Sequence, residues 1–159
     1  MTKKREMQRL IRAYRDETGK REIDMKEVAK WAVGKGWPLP TPKSPIDILA
    51  QNFSEAAREE TRRDTKTGRP YRANHSFSVT QGNQQLHLWI DIDEADRGPM
   101  LKSAVTRREQ MVGDGLQLTL DLMHWNSINP DKPPIELPMD LTFDIELRLS
   151  APDEDDDAA

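Results

Sequence analysis

At 159 residues, 33% charged and 35% hydrophobic, the chain has room for one domain with a modest core and too little for two comfortable ones. The absence of cysteine excludes a disulfide framework and a thiolate metal site; no run approaches the ~20 apolar residues of a membrane span and the N-terminus has no apolar signal core, so a soluble, cytoplasmic protein is expected. The formal charge of −4 divides unevenly: residues 1–72 carry 18 Lys and Arg against 11 Asp and Glu, residues 73–159 carry 6 against 17, and a basic half of this kind points to an anionic partner.

From Thr2 to Glu17, Met7, Leu10, Ile11 and Tyr14 recur at helical spacing, while Lys3, Lys4, Arg5, Arg9, Arg12 and Arg15 fill the rest of the surface. Gly19 supplies the stop. Lys20–Ile23 reads as extended, a candidate short strand. Asp24 and Glu27 have capping-box spacing and open a second helix from Met25 to Lys35, with Met25, Val28, Ala29 and Ala32 inward. Trp37-Pro-Leu-Pro-Thr-Pro is a stiff extended spacer, longer than the turn of a minimal helix-turn-helix. Ser44 and Pro45 then serve as N-cap and first residue of a third helix reaching Arg63, with Ile46, Leu49, Ala50, Phe53 and Ala57 as its inward stripe.

Asp64–Pro70 is turn chemistry. Beyond it Tyr71, Ala73, His75, Phe77 and Val79 alternate with polar residues, as do Leu86, Leu88, Ile90 and Ile92 after the Gln81-Gly82-Asn83 loop, which together predict a β-hairpin. A fourth helix is expected from Met100 to Met123, roughly 35 Å long, with Gly113 and Gly115 marking a bend or a close crossing. Residues 129–138 are proline-rich and irregular. Leu141, Phe143, Ile145, Leu147 and Leu149 alternate with polar residues and suggest a late strand or a docking segment. Residues 150–159, with Asp153–Asp157 wholly acidic, read as a disordered tail behind a single domain over 1–149.

Three helices followed by a hairpin resemble a winged helix-turn-helix, here an α+β domain with a long fourth helix added. In that arrangement the third helix enters the major groove of duplex DNA and the hairpin is a wing on the flanking backbone. Gln51 and Asn52 are then candidates for base contacts, and Arg58, Arg62, Arg63, Lys66, Arg69 and Arg72 for phosphate contacts. Glu55, Glu59 and Glu60 oppose this reading, since pairs such as Glu55–Arg58 and Glu59–Arg62 would make the helix a solvated surface. The expected function is duplex-DNA binding by a regulatory or accessory subunit of a bacterial-type assembly. The alternative is a protein–protein adaptor with no nucleic-acid contact. Leu101, Val105, Met111 and Leu116 on the fourth helix are the candidate interface for a homo-oligomer or a larger partner.

No catalytic constellation, metal site or cofactor motif is expected. His87, Asp91 and Asp93 share one side of a strand, but carboxylates at such a strand end commonly form a solvated edge beside a helix N-terminus. Asp144-Ile-Glu-Leu-Arg148 lacks the lysine and upstream partner of a nuclease site. His75 reads as a half-buried hydrogen-bonding residue and His124 as part of the end of the fourth helix. Trp31 and Trp37 read as covers for the helices, and Trp89 as lying opposite the apolar face of its strand.

Overall fold

Helix ends marked by capping residues organise the N-terminal part of the chain. The computed structural model describes residues 2–151, so most of the expected acidic tail, residues 152–159, lies outside the described residues. The chain forms two compact units, Met1–Phe53 and Ser54–Ala159.

In the first unit, α1 spans Lys3–Thr18 and α2 spans Met25–Gly34. Thr2 accepts the Arg5 N–H at the start of α1, and Gly19, at φ 68°, closes it by donating to Arg15 O at 2.8 Å. This left-handed conformation is one that glycine adopts without strain. Asp24 accepts the Lys26 N–H at 2.8 Å, while Glu27 turns outward to Lys30, so the expected box is half made. Lys20–Ile23 contains a bend and no strand. Tyr14, Val28 and Ala32 are buried, and Tyr14 meets Trp31 edge-on with centroids 5.6 Å apart. Replacing Tyr14 by alanine is expected to cost about 3 kcal/mol, as for other buried aromatic truncations. A denaturation midpoint that does not move would contradict this packing.

Helix α3, Pro45–Glu59, starts at Ser44, whose Oγ accepts the Asp47 N–H. Two expectations for it are corrected. Its inward stripe is not buried: Ile46 is 70% and Phe53 68% exposed. The helix also stops before Arg62 and Arg63, which lie on a strand, β1 (Thr61–Arg63), paired antiparallel with β2 (Pro70–Arg72). The Asp64–Arg69 loop explains the stop. Asp64 Oδ1 takes the Lys66 and Thr67 N–H groups, Asp64 N donates to Arg69 O at 2.9 Å, and Gly68 sits at φ 71°. The reversal directs the chain into a ladder, and an intrahelical Glu59–Arg62 pair does not form.

The second unit is built on a longer hairpin, β3 (Asn74–Gln81) with β4 (Gln84–Asp91), turning at Gly82. The register pairs His75 with Ile90, Phe77 with Leu88 and Val79 with Leu86, the alternation expected from sequence. Phe77, Val79 and Ile90 are half-buried and Leu88 is exposed. Helix α4 packs on β3, with Ser103 buried and Lys102 Nζ donating to Ser78 O.

Helix α4 runs from Arg97 to Ile128, beyond both expected limits. Pro99 is tolerated in a first turn, where its missing N–H is no loss. His124 does not end the helix. The last turn is closed by Asn129, which donates to Trp125 O, and Asn126 holds both backbone polar groups of Ile135. Gly115 makes room for the returning chain, since a Cβ there would lie 2.8 Å from Met139 Cε. The alternating segment after it is not a strand but helix α5, Thr142–Ser150. No partner strand pairs with it, so its backbone groups are met locally, beginning with Ile145 N to Leu141 O at 3.0 Å. The architecture is α+β, five helices with two antiparallel hairpins among the described residues, and none of these helices is long and apolar enough to cross a membrane.

Candidate anion-binding site

Three arginines from three elements of the second unit line one cavity of about 160 Å³: Arg58 near the end of α3, Arg72 at the end of β2 and Arg107 on α4. Asn74, His75, Ser76, Trp89, Ser103 and Gln110 complete the lining, and none of the nine residues is acidic. Local contacts set this geometry. Asn74 Nδ2 donates to Ala57 O and to Glu60 Oε2, tying the end of α3 to β3. Ala73, fully buried, donates to Glu60 O and accepts from Ile92 N. The His75 ring, buried as expected for a hydrogen-bonding residue, places Nε2 2.9 Å from Arg72 O.

The Arg58 guanidinium lies over the Trp89 ring, 5.5 Å from its centroid, so Glu55 does not hold it. Trp89 stands beside Ser76 on the face opposite Phe77 and Leu88. Arg72 and Arg107 make no ion pair or side-chain hydrogen bond among the described residues. Ser103, 2% exposed, brings a hydroxyl to the same lining. Chemically this is a cup of fork-shaped cationic donors with a hydroxyl in its wall, a set suited to an oxyanion.

The other sequence candidates are dispersed. Arg62 is taken up by acids: its Nη1 and Nη2 donate to both oxygens of Asp91 at 2.8 and 2.7 Å, and Nη1 also reaches Asp93 Oδ2 at 2.7 Å. Tyr71 OH donates to the same Asp93 at 3.0 Å. Arg63 bonds Gly68 O within the β1–β2 loop, where Lys66 and Arg69 are exposed. Gln51 accepts from Lys43 Nζ, and Asn52 is exposed. His87, expected beside Asp91 and Asp93, bonds Ser78 Oγ across the hairpin, and no group of three metal-ligating side chains occurs among the described residues. Leu101, Val105, Met111 and Leu116 are 47–60% exposed. Sequence reasoning passes over Arg107, whose only signal is a charged pair, Arg107-Arg108, interrupting the apolar helix. Arg5, Arg9 and Arg12, expected on the surface of the first helix but not as a site, line a groove on α1 with Gln8 and no acidic residue among them.

The Arg62 cluster joins the two hairpins and carries a pH signature. Arg62, and then the Asp93 N–H, hold the Asp91 carboxyl below the usual carboxylate range, and the bond to Asp93 pushes the Tyr71 phenol up. The Asp91 contribution is therefore complete above the unfolded carboxylate value and is lost as pH falls through the lowered one. The Tyr71 contribution is complete below the ordinary phenol value and is lost as pH rises through the raised one. Thermal unfolding against pH is expected to show a shallower acid limb in Asp91→Asn and a shallower alkaline limb in Tyr71→Phe. Profiles parallel to the parent protein would contradict the assignment.

Compared with known proteins, the chain matches no family, no curated protein and no solved structure.

Proposed function

We propose that this protein is a non-catalytic, nucleic-acid-binding accessory subunit that grips duplex DNA by its phosphates. The observation that carries this reading is the acid-free cavity of Arg58, Arg72 and Arg107. Guanidiniums free of carboxylates are a good phosphate receptor, because their charge is not already neutralised. The groove of Arg5, Arg9 and Arg12 on α1 supplies further phosphate contacts. In the winged-helix-like arrangement, β3–β4 is the wing and its Trp89 face carries the phosphate site, while Asn52 on α3 remains open for a base edge. Arg62 is assigned a structural role, because two carboxylates already hold it.

A second reading, an adaptor without nucleic-acid contact, is favoured by the apolar surface of α4 and α5, where Phe143 is 71% exposed. Fluorescence anisotropy of a labelled random duplex at low and moderate salt separates the two. Binding that weakens steeply with salt is expected, and absence of binding at low salt would leave the adaptor reading in its place.

A further inference from the structure

We infer that the cavity of Arg58, Arg72 and Arg107 receives a terminal phosphate monoester, so that the protein prefers phosphorylated nucleic-acid ends to internal backbone. This rests on the nucleic-acid reading and sharpens it. The three guanidiniums approach from the end of α3, the end of β2 and the body of α4 around a space of about 160 Å³. An internal phosphodiester carries sugars on both sides and fits an open surface or groove. A group enters a cup lined from three elements more deeply as the end of its chain than as an internal link. Charge points the same way. A monoester carries about −1.5 to −2 at neutral pH with three strong acceptor oxygens, against −1 and two free oxygens for a diester. Three cationic forks without a carboxylate match the former.

Ser103 adds an independent observation. The residue is almost wholly buried and lines the cavity, so a hydroxyl able to donate to a ligand oxygen stands in the wall between the arginines. The cation–π contact with Trp89, 5.5 Å from the ring centroid, favours this position of the Arg58 guanidinium before any ligand arrives, which lowers the ordering cost of binding. A phosphorylated peptide offers the same headgroup. The basic balance of residues 1–72, 18 Lys and Arg against 11 Asp and Glu, favours a polyanion.

The test uses the full chain and one duplex sequence prepared with 5′-phosphate, 3′-phosphate or hydroxyl ends, and a closed circular duplex as an end-free competitor. Phosphorylated ends are expected to bind about tenfold more tightly than hydroxyl ends. Arg107→Gln should abolish that preference, and Ser103→Ala, which leaves charge unchanged, should reduce it severalfold. The circle should compete only at the weaker level, and millimolar inorganic phosphate should erase the difference. Equal binding of all ends would overturn the inference while leaving duplex binding intact. Absence of binding to every duplex would remove the underlying reading and the inference with it. Stronger competition by a phosphoserine peptide than by the phosphorylated duplex would reassign the cavity to protein ligands.

Discussion

A chain with Arg58, Arg72 and Arg107 all replaced by glutamine is expected to lose affinity for a 5′-phosphorylated duplex by roughly two to three orders of magnitude at low salt. A hydrogen bond to a charged group contributes about 1.5–3 kcal/mol, and three that share one ligand add less than their sum. The log–log salt dependence should flatten by about 0.9 for each phosphate that the variant no longer neutralises. Glutamine keeps much of the side-chain volume and removes only the charge, so the fold should persist. Arg58 also rests on Trp89, and for that reason the Arg72→Gln, Arg107→Gln double variant accompanies the triple one. Unchanged affinity in both, with circular dichroism intact, would contradict a phosphate site in the cavity.

Replacing Met111 and Leu116 by aspartate is expected to convert a self-associating or partner-bound protein into a monomer in sedimentation. Helix α4 has 32 residues, roughly 48 Å, yet only Ser103 on it is buried. Leu101, Val105, Met111, Val112 and Leu116 are about half exposed, as are Ile145, Leu147 and Leu149 on α5. Soluble monomers seldom leave contiguous apolar surface beyond a few hundred Å², and a stable interface takes about 800 Å² from each partner. The introduced carboxylates would have to be desolvated in such an interface, at a cost of several kcal/mol each. A parent protein that is strictly monomeric and gains no stability from any partner would contradict the assembly role.

The parts of this fold that are legible in sequence are those set by neighbours along the chain. Asp24, Ser44 and Gly19 mark helix ends because capping is a matter of three or four residues. The β3–β4 register follows from period-two alternation around Gly82. The same signal misleads at Leu141–Leu149, because alternation specifies a strand only where another strand offers its edge, and here none pairs with it. The three-residue β1 is too short for any period, so Arg62 and Arg63 read as a continuation of α3. Arg62 then reads as open to phosphate, whereas the reversal at Asp64 brings it to Asp91 and Asp93. Of the cavity's arginines, Arg58 and Arg72 stand out within the basic half. Arg107 does not, because it lies in the acidic half and reaches the site only through the packing of α4 on β3. The local charge pattern cannot convey a convergence that tertiary packing creates.

Arginine-selective chemical labelling, read by mass spectrometry on the full chain with and without a 5′-phosphorylated duplex, tests the phosphate cavity most directly. Arg72 and Arg107 should label readily alone and be protected in the complex, and Arg58 should follow them. Arg62, held by two carboxylates, should label slowly in both states. Equal labelling of Arg72 and Arg107 with and without bound duplex would contradict the account.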